Sequence, residues 1–155
     1  MGDRSTVNII TEIHDGMNIG ININLHWGGS NAQHDALETL RSYNYNRRYD
    51  KEDVPRLTTA VLHALYRTHN EPYNVYMMPF CLSHFKATKN SPGDTEHTVV
   101  TIDIPRHTVV LRNVGHKLLD MGYRHVREFF WTDIDAVENA LKDMDRIFHI
   151  EHYIL

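Results

Sequence analysis

The segment HTVVTIDIPRHTVV, residues 97–110, restricts more than any other stretch what this chain can fold into. Ile104-Pro105-Arg106-His107 suits a four-residue turn, because the fixed φ of proline matches the second turn position. Such a turn folds residues 98–103 back on 108–113 as an antiparallel pair. Side chains alternate across a strand, so Val100, Ile102, Val109 and Leu111 share one face. A slip of one residue would turn that face to water, which sets the pairs as Asp103 with Thr108 and Thr101 with Val110.

That register also disposes of a catalytic reading of the repeated His-Thr-Val-Val. His107 falls at the turn and His97 at the far end, roughly 20 Å away at about 3.3 Å per residue. General acid and base partners need hydrogen-bond reach, so the two are not a working pair. None of the twelve histidines has Thr or Ser two residues later, the spacing used by two-histidine phosphodiesterases.

A second hairpin is written into residues 6–13 and 20–27, on either side of Asp15-Gly16, a favoured two-residue hairpin turn. Ile21, Ile23, Leu25 and Trp27 share one face, and Asn22, Asn24 and His26 the other, which predicts a sheet with one buried and one polar side. Gly28-Gly29 ends the strand. Ser30 and Gln33 have capping-box spacing and open a helix to about Tyr43 that buries Ala32, Ala36, Leu37, Leu40 and Tyr43. Asp53 as N-cap and Pro55 in the first turn start a second helix, with Leu57, Ala60, Val61, Ala64 and Leu65 as its stripe. NVYMMPF, 74–80, is predicted as a buried strand stopping near Pro79, and the polar stretch 86–96 as a surface loop. Thr132 caps a last helix to about His149, striped by Ile134, Val137, Leu141, Met144 and Phe148. Between these, GHKLLDMG suits a short helix, and HVREFFW fits a strand or a helix. The order of elements implies an α+β fold over residues 1–155, a single domain with a mainly antiparallel sheet and helices packed on one face.

Composition narrows the function classes. A net charge of −4 argues against a general nucleic-acid binder. No apolar run approaches the ~20 residues of a membrane span, and the polar start predicts no secretory leader. One cysteine, Cys81, excludes an internal disulfide and points to the cytoplasm. Its apolar neighbours predict a buried inert thiol rather than a nucleophile with His84.

Met1-Gly2-Asp3-Arg4 and Leu25-His26-Trp27-Gly28-Gly29 resemble motifs of a family of uncharacterised small bacteriophage and prophage proteins. Asp94-Thr95-Glu96-His97 and Arg127-Glu128-Phe129-Phe130 extend the resemblance over most of the chain. It implies a phage origin, residence in the host cytoplasm and a role such as countering host defence.

Two stretches carry candidate chemistry. Gly28, Gly29 and Ser30 lie between a strand and a helix N-terminus, where backbone N–H groups can face an anion, with Asn22, Asn24, His26 and Arg4 nearby. The alternative there is a flexible turn, a satisfied cap and a solvated sheet face. In RSYNYNRRYDK, residues 41–51, Tyr43, Tyr45 and Tyr49 interleave with Arg47 and Arg48, the ingredients of an interface or of nucleotide stacking, as well as of a plain helix connection. His149 and His152, three apart, fall short of a zinc ligand set, so no metal and no cofactor is expected. Asp133, Asp135 and Glu138 complement a helix N-terminal dipole. These readings favour a small accessory protein that binds a host protein or a small anionic ligand such as a nucleotide, with self-association left open. The competing reading is a compact hydrolase or phosphoryl-handling enzyme centred on His26 and assisted by Asn24.

Overall fold

The Asp15-Gly16 hairpin forms as its sequence predicts: both turn residues have positive φ, 50° and 74°, the backbone hand that matches strand twist. It joins β1 (Ser5–His14) to β2 (Met17–Leu25) in a computed structural model that describes residues 4–29, 31–46, 53–68, 74–83, 97–114 and 123–150. The remaining elements are α1 (Asn31–Asn46), α2 (Asp53–Thr68), β3 (Val75–Ser83), β4 (Val99–Asp103), β5 (Thr108–Val114), β6 (Tyr123–Phe130) and α3 (Ile134–His149). The six strands make one sheet in the order β3-β2-β1-β4-β5-β6. Every neighbouring pair is antiparallel except β1 and β4, which run parallel. The chain is a single α+β domain in which, among the described residues, three helices pack against a mostly antiparallel sheet.

The β4–β5 register is the predicted one, Asp103 opposite Thr108 and Thr101 opposite Val110. Val100, Ile102, Val109 and Leu111 turn inward, joining Val7, Ile9, Ile23 and Leu25 beneath the helices. The helices contribute Ala36, Leu37 and Leu40 from α1, Leu57, Val61 and Leu65 from α2, and Val137, Leu141 and Met144 from α3. Each fully buried aliphatic side chain of this kind contributes about 1.5–3 kcal/mol, so the three stripes supply the main force holding helices to sheet.

Several local expectations are corrected. β3 runs through Pro79 to Ser83 instead of stopping, because it is an edge strand and proline needs no partner on the outer side. Cys81 is exposed on that edge, not buried. Trp27 lies beyond β2 and is 57% exposed rather than part of the inward face. Asp133, not Thr132, occupies the N-cap of α3, with no side-chain cap bond. HVREFFW resolves into the greater part of β6. The stretch 86–96 and GHKLLDMG lie outside the described residues.

The polar side of the sheet is buried as well, contrary to a solvated face. Thr6, Asn8, Asn22, Asn24 and Thr101 are all at most 6% exposed. They satisfy one another in a ladder: Thr6 Oγ1 donates to Asn24 Oδ1 (2.9 Å), Asn24 Nδ2 to Asn22 Oδ1, Asn22 Nδ2 to Asn8 Oδ1 (2.7 Å), and Asn8 Nδ2 to Thr101 Oγ1 (3.4 Å). The register places Thr6 opposite Asn24, Asn8 opposite Asn22, and Asn8 beside Thr101, so cross-strand neighbours become hydrogen-bond partners. At one end Arg106 Nη1 donates to Asn18 Oδ1 and to Asp103 Oδ2, both at 2.7 Å, tying the β4–β5 turn to β2.

Candidate functional site

Of the residues proposed around Gly28-Gly29, Asn22, Asn24 and His26 do not share one exposed surface. Asn22 and Asn24 are held in the buried ladder, whereas His26 is exposed past the end of β2, edge-on to the ring of Trp27 at 5.4 Å. His26 N–H donates to Asn74 O, and Trp27 N–H to Asn74 Oδ1, so this corner is braced by the residue preceding β3. The glycines have packing reasons: a Cβ on Gly28 would lie 2.2 Å from Ser5 Oγ, and Gly29 has φ +53°. Arg4 is half-buried, and Ser30 lies outside the described residues. In the second candidate stretch Tyr43 belongs to the core, its hydroxyl donating to Asp53 Oδ1 and its ring edge-on to Trp131. Arg47, Arg48 and Tyr49 lie outside the described residues, as does the side chain of Tyr45.

The hairpin histidines part as the register requires, and each finds its own partner. His107 stacks on Trp131 at 4.5 Å, with Nε2 4.0 Å from Asp53 Oδ2. His97, just ahead of β4, meets the C-terminal end of α3. There Asp145 and His149 stand four residues apart and therefore on one helical face. Asp145 Oδ1 accepts the Thr98 N–H at 2.9 Å, which leaves Oδ2 facing both imidazoles. Oδ2 lies 3.2 Å from His97 Nδ1 and 3.7 Å from His149 Nε2, and the two rings meet edge-on at 5.1 Å. One donor atom from each of the three residues lies within 4.8 Å of the others. Burial pushes the Asp145 carboxyl up, but the hydrogen bonds from His97 and Thr98 and the nearby imidazoles outweigh it and hold the group below its ordinary value.

Beside this trio a cleft of about 290 Å³ opens between α1 and α3, lined by Gln33, His34, Leu141, Lys142, Asp145, Arg146 and His149. Gln33 is 1% exposed; its Nε2 donates to Thr98 O at 2.9 Å, and its buried Oε1 has no hydrogen-bond partner among the described residues. Lys142, Arg146, His34 and His149 bring positive or protonatable groups to one mouth, against one carboxylate among the described residues, Asp145. Farther along the same helix pair, Arg41 Nη2 bonds Asp135 Oδ1 and Glu138 Oε2, both at 2.8 Å, while its Nε reaches Glu38 Oε1 at 3.3 Å.

The trio escapes sequence reasoning because His97 is 48 residues from Asp145. Its local half was available: Asp-x-x-x-His at 145–149 places a carboxylate and an imidazole on one helical face. Comparison with protein-family models, with curated proteins and with solved structures finds no match to this chain.

Proposed function

We propose that this chain is a small accessory protein that works by binding, and that its ligand is a small anion of the nucleotide or phosphate class held in the α1–α3 cleft. The observation that carries the reading is the cleft's chemistry. Lys142 and Arg146 stand one helical turn apart at its rim, and the orphaned Gln33 acceptor offers a buried partner for a ligand N–H or O–H. The anion expected from the sequence thus finds better support between α1 and α3 than at Gly28-Gly29. A phage origin, the host cytoplasm as the site of action and a role against host defence rest on the resemblance described above.

Isothermal titration of the full chain with ADP and with pyrophosphate tests the reading. Saturable one-to-one binding is expected, weakened about tenfold or more in a Lys142→Ala/Arg146→Ala double variant, since a charge-assisted hydrogen bond contributes about 1.5–3 kcal/mol. Absence of binding, or equal binding by the double variant, would remove the cleft as an anion site.

A host protein as partner is a second reading, favoured by the β3 edge of the sheet. Tyr76, Met77 and Met78 are 43%, 44% and 60% exposed there, beside the exposed Trp27 that Asn74 braces. Large exposed apolar side chains along a strand edge are the usual material of a protein contact. Capture of one host protein that is lost on Tyr76→Ser/Met78→Ser would favour this reading over the anion.

A further inference from the structure

We infer that His97, Asp145 and His149 form a binding site for a divalent first-row transition-metal ion. The inference goes beyond the anion reading and does not depend on it.

Two imidazoles and one carboxylate are the donor set that suits zinc, iron, cobalt or manganese, in preference to the all-oxygen shells of calcium and magnesium. An ion bound at about 2.0–2.2 Å from each donor holds neighbouring donors roughly 3–3.5 Å apart. Asp145 Oδ2 already stands 3.2 Å from His97 Nδ1 and 3.7 Å from His149 Nε2, and the three donor atoms lie within 4.8 Å of one another, so side-chain rotations that draw the two imidazoles together complete the set.

The trio is also held in place from outside. Asp145 is oriented by the Thr98 N–H through the oxygen that does not face the imidazoles. The segment carrying His97 and Thr98 is fixed in turn by Gln33 Nε2 on the Thr98 carbonyl and by Thr98 Oγ1, which donates to Asn113 Oδ1 at 2.7 Å. Asn113 Nδ2 completes the frame by donating to Met144 O, on the residue before Asp145. Such outer hydrogen bonds are the means by which metal ligands keep their orientation.

Three protein ligands, counted among the described residues, leave coordination positions for water or a ligand atom. His149 and Asp145 line the α1–α3 cleft, so those positions open toward it, where the unpartnered Gln33 Oε1 can accept from a metal-bound water.

The test uses the full chain stripped of metal and titrated with Zn²⁺ calorimetrically and with Co²⁺ by visible absorption, with no anion present. One equivalent is expected to saturate each titration, with Mg²⁺ unable to displace the Co²⁺ signal. His149→Ala, altering a half-exposed side chain, and His97→Ala are each expected to weaken the metal tenfold or more. His63→Ala, an exposed histidine on α2, leaves affinity unchanged. Circular dichroism checks folding; if His97→Ala unfolds, His149→Ala decides alone. A wild type with no saturable site, or one whose affinity survives His149→Ala, overturns the inference. Metal binding without ADP or pyrophosphate binding leaves the metal site standing and removes only the anion.

Discussion

Single residues here are chosen by close approach as much as by polarity. Gly28 is a case: an added Cβ would stand 2.2 Å from Ser5 Oγ, 2.8 Å from Leu25 Cβ and 3.2 Å from Ala32 Cβ. The pair Gly28-Gly29 invites an anion-site reading from sequence, yet the first glycine is needed where β1, β2 and α1 meet. Gly28→Ala is therefore expected to destabilise the fold by about 1–3 kcal/mol, the usual cost of overpacking. A urea midpoint equal to wild type would show that the corner can yield. His97 makes the opposite point. The hairpin register places it far from His107, but only tertiary contact gives it Asp145 and His149 as neighbours.

Between elements, α1 and α3 are joined by a charged cluster whose behaviour depends on pH. Partial burial pushes the Glu138 carboxyl above its ordinary range, aided by its hydrogen bond to Glu38 and opposed by Arg41. The same contact with Glu138, with Arg41 beside it, lowers Glu38, so the two carboxyls are pushed in opposite directions. Hydrogen bonding to Asp135, with further help from Glu138, raises Arg41, which stays charged throughout. A carboxyl raised in the folded state contributes stability below its unfolded pKa and loses that contribution as pH rises through the folded value. Glu138→Gln keeps a hydrogen-bond donor toward Glu38 at every pH. The variant is thus expected to gain on wild type in urea unfolding as pH rises from about 4, the ordinary glutamate range, toward neutrality. A constant difference across that range would mean that Glu138 carries no shifted proton.

At the scale of the whole molecule, the sheet is two antiparallel halves, β3-β2-β1 and β4-β5-β6, sewn together by the parallel β1–β4 pair. Asn8 spans the seam, accepting from Asn22 on one side and donating to Thr101 on the other. Asn8→Ala leaves buried polar partners short of a bond, at a cost of about 1–3 kcal/mol. Because the seam joins both halves, a single cooperative unfolding transition with a lowered midpoint is expected. Two separate transitions would show that the halves fold independently.

The sequence by itself determined the two hairpins, the helices α1, α2 and α3, and the inward faces apart from Trp27. These depend on turn chemistry and on periods of 2 and 3.6 residues, both short-range properties: Asp15-Gly16 and Pro105 close the turns, and Leu57, Val61, Ile134 and Val137 mark their stripes. Tertiary structure decided the rest. Alternation marked Asn22 and Asn24 as polar, but their burial follows from facing Asn8 and Thr6 across a pleated sheet. The parallel β1–β4 seam and the meeting of His97 with α3 join residues about ninety and fifty positions apart. No local pattern encodes such contacts. They arise when the apolar stripes of α1, α2 and α3 must all be buried against one sheet, and that packing brings the two imidazoles to one carboxylate.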